Sequence, residues 1–175
     1  MKRYIAFLRG ININGKNKIN MVELKAELET AGYMSVSTFL NSGNVSFVTS
    51  EGDVGKTMEE MIQKRFGLEV PVYVIEYESL KKILLNSPAW WNTGSKDKYD
   101  NLIFILSSDT PEKICEMLGE PSDGMERIQI YRNVIFWTFD RKQYQKCNWW
   151  KKTASAGIAD KLTIRTASTV LKICK

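Results

Sequence analysis

Residues 3–48 read RYIAFLRGININGKNKINMVELKAELETAGYMSVSTFLNSGNVSFV, and this stretch predicts a strand, a helix and a β-hairpin in that order. The apolar run at residues 3–8 is typical of a strand, whereas residues 21–31 repeat apolar side chains at helical spacing. Asn20 is a natural N-cap for that helix, and Gly32 is suited to the position just after its end.

A β-hairpin is predicted directly after this helix. Strand-like segments at residues 36–40 and 45–48 are joined by Asn41-Ser42-Gly43-Asn44, which is hairpin turn chemistry. A second helical pattern at 58–66 and a strand at 70–75 come next. The order strand, helix, strand, strand, helix, strand is that of a ferredoxin-like plait.

The second half of the chain repeats this order. After a bridging helix and loop at 79–99, the predicted elements are strands at 101–106, 128–131, 134–137 and 162–164 and helices at 111–118 and 143–158. We therefore predict an α+β protein made of two tandem ferredoxin-like plaits that arose by duplication. The predicted domains are residues 1–78 and residues 79–175.

The composition excludes several classes of site. The chain has 175 residues, a net charge of +5 and no histidine. Without imidazole there can be no Ser-His or Cys-His dyad and no zinc site that needs histidine. Cys115, Cys147 and Cys174 are widely spaced and form no C-x-x-C pair, which argues against a redox motif or a thiolate metal cluster.

The sequence predicts neither export nor membrane insertion. The apolar run near the start of the chain ends at Arg9, too early for a signal peptide. No run approaches the ~18 apolar residues of a membrane helix. We therefore expect a cytoplasmic protein with no membrane partner.

Positive charge is concentrated at both ends of the chain. Residues 141–175 hold nine basic side chains and one acidic side chain, and residues 1–22 hold five basic and no acidic side chains. Such segregation attracts phosphate groups or nucleic acid, although solvated surface lysines would give the same pattern.

The predicted topology brings two polar segments to one sheet edge. The first and second strands of a plait are parallel, so the loop at 9–18 and the hairpin at 41–44 leave the sheet together. Backbone N–H groups near glycine and the following helix N-terminus favour an anion there. The candidate ligand-binding residues are Arg9, Gly10, Asn12, Asn14, Gly15, Lys16, Asn17, Ser42, Gly43 and Asn44. The alternative is that glycine and asparagine only fix two tight turns.

These residues favour a binding protein for a phosphate-bearing ligand, either a nucleotide or a single-stranded nucleic acid. Gly10 and Gly15-Lys16 fit the G-x-x-x-x-G-K pattern of a phosphate-binding loop, but Asn17 stands where a hydroxyl would bind magnesium. We expect no metal and no cofactor. One alternative is a histidine-free enzyme with Ser42 as nucleophile and Lys16 as its base.

A second alternative is a structural or protein-interaction module, for example a homodimer. A strand edge near Pro71 and the aromatic pair Trp90-Trp91 would serve as its surfaces. Residues 141–152 also mix rings with positive charge, as single-stranded nucleic acid sites do. The same residues fit a helix with Tyr144, Cys147 and Trp150 on one packed face.

The N-terminal motifs resemble domain-of-unknown-function family 1697, a bacterial family. The resemblance rests on Leu8-Arg9-Gly10-Ile11-Asn12, on Gly15-Lys16-Asn17, and on the hairpin from Thr38 to Phe47. It extends over nearly the whole chain and implies two ferredoxin-like plaits in tandem. It implies no particular reaction.

The chain departs from this family at two places. The family's hairpin usually has Gln where this chain has Asn41, and its C-terminal Arg-Asn-Trp-Asn-Thr run is here Arg165-Thr166-Ala167-Ser168-Thr169. Any role of the missing Trp is therefore lost. Arg165 and Lys172 are retained, and we expect both to complete the ligand site if the two halves face each other.

Overall fold

The computed structural model describes residues 1–50 and 52–175, which divide into two compact units. The first unit is Met1–Lys81 and the second is Lys82–Lys175. The boundary predicted from the sequence, after residue 78, lies three residues earlier. The helix that contains the boundary, α3, spans Tyr77–Leu85.

Each unit holds one four-stranded antiparallel sheet, and the described residues contain six α-helices in all, so the fold is α+β. The elements of the first unit are β1 Lys2–Leu8, α1 Met21–Thr30, β2 Met34–Phe39, β3 Asn44–Thr49, α2 Val54–Phe66 and β4 Val72–Glu76. None of the helices in the described part of the chain is long and apolar enough to span a membrane.

In the first sheet the strand order is β2-β3-β1-β4, with β1 antiparallel to both of its neighbours. Phe7 near the end of β1 lies opposite Asn44 at the start of β3. Leu8 lies opposite Val72 at the start of β4. β4 ends the sheet, which agrees with the prediction that Pro71 precedes an edge strand.

One face of this sheet packs against α1 and α2. The alternation of β1 turns Ala6 and Leu8 toward this core, where the helices contribute Leu24 and Met58. Both ends of α1 and the end of α2 are those predicted from the sequence, whereas α2 begins at Val54, four residues before the predicted helical pattern. Asn20 caps α1, Gly32 follows it with φ +93°, and Gly67 ends α2 with φ +67°.

The second unit has the strand order β6-β7-β5-β8. Its elements after α3 are β5 Lys98–Ile105, α4 Pro111–Leu118, β6 Glu126–Tyr131, β7 Val134–Asp140, α5 Asn148–Thr153, β8 Leu162–Thr166 and α6 Ala167–Ile173. One face of the sheet buries Ile103, Ile135 and Trp137 beneath α4 and α5.

The long helix predicted at 143–158 is wrong. The segment contains a short 3-10 turn, Tyr144–Lys146, and the six-residue helix α5. Cys147 between them is extended, with ψ 128°. A new helix begins after it because the Glu126 carboxylate accepts hydrogen bonds from the backbone N–H groups of Trp149 and Trp150. This cap comes from a distant strand, so helical spacing within the segment does not indicate it.

Candidate functional site

The loop at 9–18 and the hairpin at 41–44 lie at one edge of the first sheet, so their predicted juxtaposition is confirmed. The backbone N–H of Leu8 donates to the carbonyl of Gly43 at 2.8 Å. The side-chain amide of Asn12 donates to the carbonyl of Asn41 at 2.8 Å. Two segments 29 residues apart in sequence are thereby joined directly.

Residues 12–17 form a small projecting turn, which we call the tongue. Ile13 and Lys16 form an antiparallel bridge, and the Lys16 N–H donates to the Ile13 carbonyl at 2.9 Å. Asn14 and Gly15 at the tip both have positive φ, 48° and 75°. This is the geometry of a type I′ turn, which Asn-Gly favours strongly.

The amides of Asn12 and Asn17 are used to hold the tongue in place. Asn12 Oδ1 accepts the N–H of Ile19 at 2.9 Å, and its Nδ2 donates to the Ile19 carbonyl at the same distance. Asn17 Nδ2 donates to the carbonyl of Gly10 at 3.0 Å. These two predicted ligand residues therefore position the loop through their own hydrogen bonds.

Asn44 and Gly43 are also parts of the framework. Asn44 is fully buried, and its Nδ2 donates to the Phe39 carbonyl at 2.8 Å and to Ser42 Oγ at 3.0 Å. Gly43 has φ +79°, and a Cβ there would lie 2.7 Å from Leu8 Cβ. The Ser42 hydroxyl thus accepts a hydrogen bond from the Asn44 side-chain amide, and an amide is not a general base.

The expectation that the N-terminus of α1 favours an anion is not supported. Asn20 Oδ1 already accepts the N–H groups of Val22 at 2.9 Å and Glu23 at 3.4 Å. An N-cap side chain satisfies the donors that an anion would otherwise use. Lys16 lies in the tongue, before the first residue of α1, Met21, and so does not open the helix as a phosphate-binding loop requires.

The candidate residues that still offer exposed polar groups are few. Lys16, Asn14 and Ser42 are exposed, and Arg9 is half-buried at the end of β1. Lys18, which was not among the predicted ligand residues, is exposed beside them. The Arg9 backbone N–H donates to the Pro71 carbonyl at 2.9 Å. We call these five residues the tongue surface.

Arg165 and Lys172 both lie in the second unit. Arg165, in β8, is only 9% exposed, and its Nη1 donates to Thr163 Oγ1 at 2.9 Å and to the Ile164 carbonyl at 3.0 Å. Burial lowers the pKa of its guanidinium to about 10. Lys172 is exposed on α6.

The aromatic residues of the second unit are mostly used in packing. Trp149 is fully buried, and its indole N–H donates to the carbonyl of Gly119 at 2.7 Å. Trp91 is 4% exposed and packs edge-on against Phe136, with ring centroids 5.0 Å apart. Trp150, at 39% exposed, contacts solvent. The hypothesis that Trp91 forms part of an exposed surface for a partner is therefore wrong.

The sequence missed a cavity of about 490 Å³ in the second unit, which we call the Trp90 cavity. Trp90, Lys98, Arg127 and Thr138 are among the residues that line it. Its walls come from two loops and three strands. The local signal in the sequence was the polar Thr138, which lies between apolar residues of β7. Among residues 1–50 and 52–175, no group of three or more acidic or cysteine side chains could hold a metal ion.

Known proteins support the fold. A conserved bacterial protein from Streptococcus pneumoniae has a similar solved structure, with a TM-score of 0.80 and 28% sequence identity. The similarity covers 99% of this chain and 97% of that chain. No curated protein matches the chain. The family described as "Protein of unknown function (DUF1697)" matches residues 1–136, and the chain therefore belongs to this family.

Proposed function

We propose that the chain is a binding protein for a phosphate-bearing ligand, a nucleotide or a single-stranded nucleic acid, and that the tongue surface contacts the phosphates. The observation that carries this proposal is the position of Lys16 and Lys18. Both are exposed, and neither forms an ion pair with another described residue. Two ammonium groups beside a segment without acidic residues attract phosphate.

The rigidity of the tongue supports the same proposal. Its base is tied to the hairpin and to the start of α1 by three hydrogen bonds of the Asn12 side chain. A cation on a fixed turn loses less conformational freedom on binding than a cation on a mobile loop. The tongue surface is open, which suits phosphates of an extended strand at least as well as a single nucleotide.

The test is a titration of a fluorescently labelled single-stranded oligonucleotide at low and high salt. The variant Lys16→Gln/Lys18→Gln removes both ammonium groups, and we expect its affinity to fall about tenfold at low salt and its salt dependence to weaken. Lys56→Gln/Lys64→Gln removes two exposed lysines of α2 and is the matched control. Equal affinity of the two double variants would refute the proposal.

Nucleotides are tested separately with the same variants. The melting temperature is measured with and without each nucleotide, since a ligand at 100 times its Kd stabilises the folded state by ~2.7 kcal/mol. A shift that is smaller in Lys16→Gln/Lys18→Gln than in the α2 control supports a nucleotide at the tongue surface.

We further propose that each unit is a ferredoxin-like plait and that the two arose by duplication. The strand orders β2-β3-β1-β4 and β6-β7-β5-β8 support this, because both place the first strand of the unit between its third and fourth. Cys115, Cys147 and Cys174 form no disulfide bond with another described residue, which supports a cytoplasmic location. A homodimer through the edge strand β4 is testable by light scattering.

A further inference from the structure

We propose that the Trp90 cavity of the second unit is a nucleotide site, separate from the tongue surface, that recognises the base of a purine nucleotide. The cavity has a volume of about 490 Å³, which is within the usual range for small-molecule sites. Trp90 supplies an aromatic wall, and Lys98 and Arg127 supply positive charge.

The sheet places three polar side chains in one row beside this cavity. Thr138 of β7 lies opposite Asp100 of β5 and opposite Arg127 of β6. Residues directly opposite each other in a sheet share a face, so a carboxylate, a hydroxyl and a guanidinium are neighbours. Asp100 lines an adjoining cavity of about 360 Å³, and both cavities include Lys98 in their walls.

Two oxygens of this row are buried without a hydrogen-bond partner among the described residues. They are Thr138 Oγ1 and Asp100 Oδ1. Thr138 is only 4% exposed, and the other Asp100 oxygen accepts the backbone N–H of Asn92 at 3.1 Å. Buried polar groups are normally paired, so unpaired oxygens on two directly opposite residues point to a partner that binds beside this row. A carboxylate oxygen accepts hydrogen bonds and does not donate them, so the partner of the Asp100 oxygen must bring a donor.

The charges indicate the other end of the ligand. Neither Lys98 nor Arg127 forms an ion pair with a described residue. Glu126 also lines the cavity, but its carboxylate accepts the N–H groups of Ser122, Trp149 and Trp150. Asp123 is the remaining acid of this wall. A ligand with an N–H donor on a flat ring and an anionic tail fits a site that combines unpaired oxygens, an indole ring and two cations. Purine nucleotides have both, and their rings stack on indole.

Calorimetric titration of the full chain with adenosine and guanosine monophosphates tests this site. We expect saturable binding of at least one of them, at one site that persists when Lys16→Gln/Lys18→Gln removes the ammonium groups of the tongue surface. Arg127→Gln should weaken it about tenfold, the usual effect of losing one charge-assisted hydrogen bond. Thr138→Val removes only the hydroxyl and should weaken binding while the melting temperature is maintained or raised. Lys113→Gln, on α4 at the opposite face of the sheet, should have no effect.

Ribose 5-phosphate and inorganic phosphate serve as further probes. Both should bind at least tenfold more weakly than the nucleotide, because neither carries the base. The proposal is overturned if neither monophosphate saturates, if phosphate alone binds as tightly, or if both Arg127→Gln and Thr138→Val bind like the unmodified protein. The titration is repeated in Lys16→Gln/Lys18→Gln, which lacks the ammonium groups of the tongue surface. Saturable binding should remain in this variant and should weaken about tenfold when Arg127→Gln is added, so failure here is distinguishable from failure at the tongue surface.

Discussion

The side-chain amide of Asn12 donates to the backbone carbonyl of Asn41 at 2.8 Å, and this hydrogen bond links the loop after β1 to the hairpin between β2 and β3. The same side chain holds the backbone of Ile19 through a donor and an acceptor. An asparagine that sequence reasoning assigned to a ligand is thus part of the support for the loop that carries Lys16.

Asn12→Ala is expected to lower the free energy of unfolding by about 2 kcal/mol, because each of its hydrogen bonds contributes about 0.5–1.5 kcal/mol. Thermal unfolding measures the loss as a fall of several degrees in melting temperature. The control is Asn41→Ala, which keeps the carbonyl that accepts the bond and should melt like the unmodified protein. Equal melting of both variants would contradict the assigned role.

Gly43→Ala should destabilise the protein by about 3 kcal/mol through backbone strain and overpacking. Its φ is +79°, and the new Cβ would lie 2.7 Å from Leu8 Cβ and 2.8 Å from Ile11 Cδ1. Gly52→Ala is the matched control, because nothing lies within 4 Å of a Cβ there. Chemical denaturation of the two variants should separate them clearly, and similar midpoints would show that the hairpin relaxes.

Glu126→Gln should cost about 2 kcal/mol, since an amide nitrogen cannot accept the hydrogen bonds that cap α5. The carboxylate is 5% exposed and accepts the N–H groups of Ser122, Trp149 and Trp150. Urea unfolding followed by tryptophan fluorescence measures the change. Glu120→Gln, at an exposed position, should leave the unfolding midpoint where it is.

The ion pair between Asp109 and Lys161 should make stability fall in acid. The hydrogen bond from Lys161 and a second one from Ser107 lower the pKa of Asp109 below its ordinary value of 3.8. A lowered pKa in the folded state means that the pair stabilises the fold at pH above 3.8 and that this contribution is lost as the pH falls through the lowered value.

As the pH falls from about 5 to about 2, the free energy of unfolding of Asp109→Asn should therefore decrease less than that of the unmodified protein. Urea midpoints at several pH values measure this difference. Asp123→Asn is the control, because no ion pair to this aspartate is found among the described residues. If the Asp109 and Asp123 variants respond to acid alike, the pair does not contribute.

Local patterns were enough to predict most of the fold. Asn20, Gly32 and Gly67 end or begin helices through interactions within a few residues, and the Asn41–Asn44 turn is equally local. The α5 region failed for the opposite reason. Its start depends on Glu126, which is 23 residues from Trp149 in sequence and reaches it only through the folded sheet.

The candidate site divides in the same way. The juxtaposition of loop and hairpin follows from topology, so it could be predicted. That the Asn12 and Asn17 amides hold the loop could not be predicted, because their hydrogen bonds depend on which backbone carbonyls lie near them in the folded loop. The row of Asp100, Thr138 and Arg127 depends on register across three strands, which spacing along the chain does not encode.

The unpaired oxygens of Thr138 and Asp100 have a consequence for protein engineering. A selection for heat resistance alone would favour an apolar residue in place of Thr138, because removing a buried polar atom that has no partner raises the melting temperature without any new contact. At position 100 it would remove the unpaired oxygen only together with the acceptor of the Asn92 N–H. A thermostabilised variant obtained in this way would have exchanged its recognition chemistry for stability. Libraries built on this scaffold should therefore keep these two positions fixed until their ligand is known.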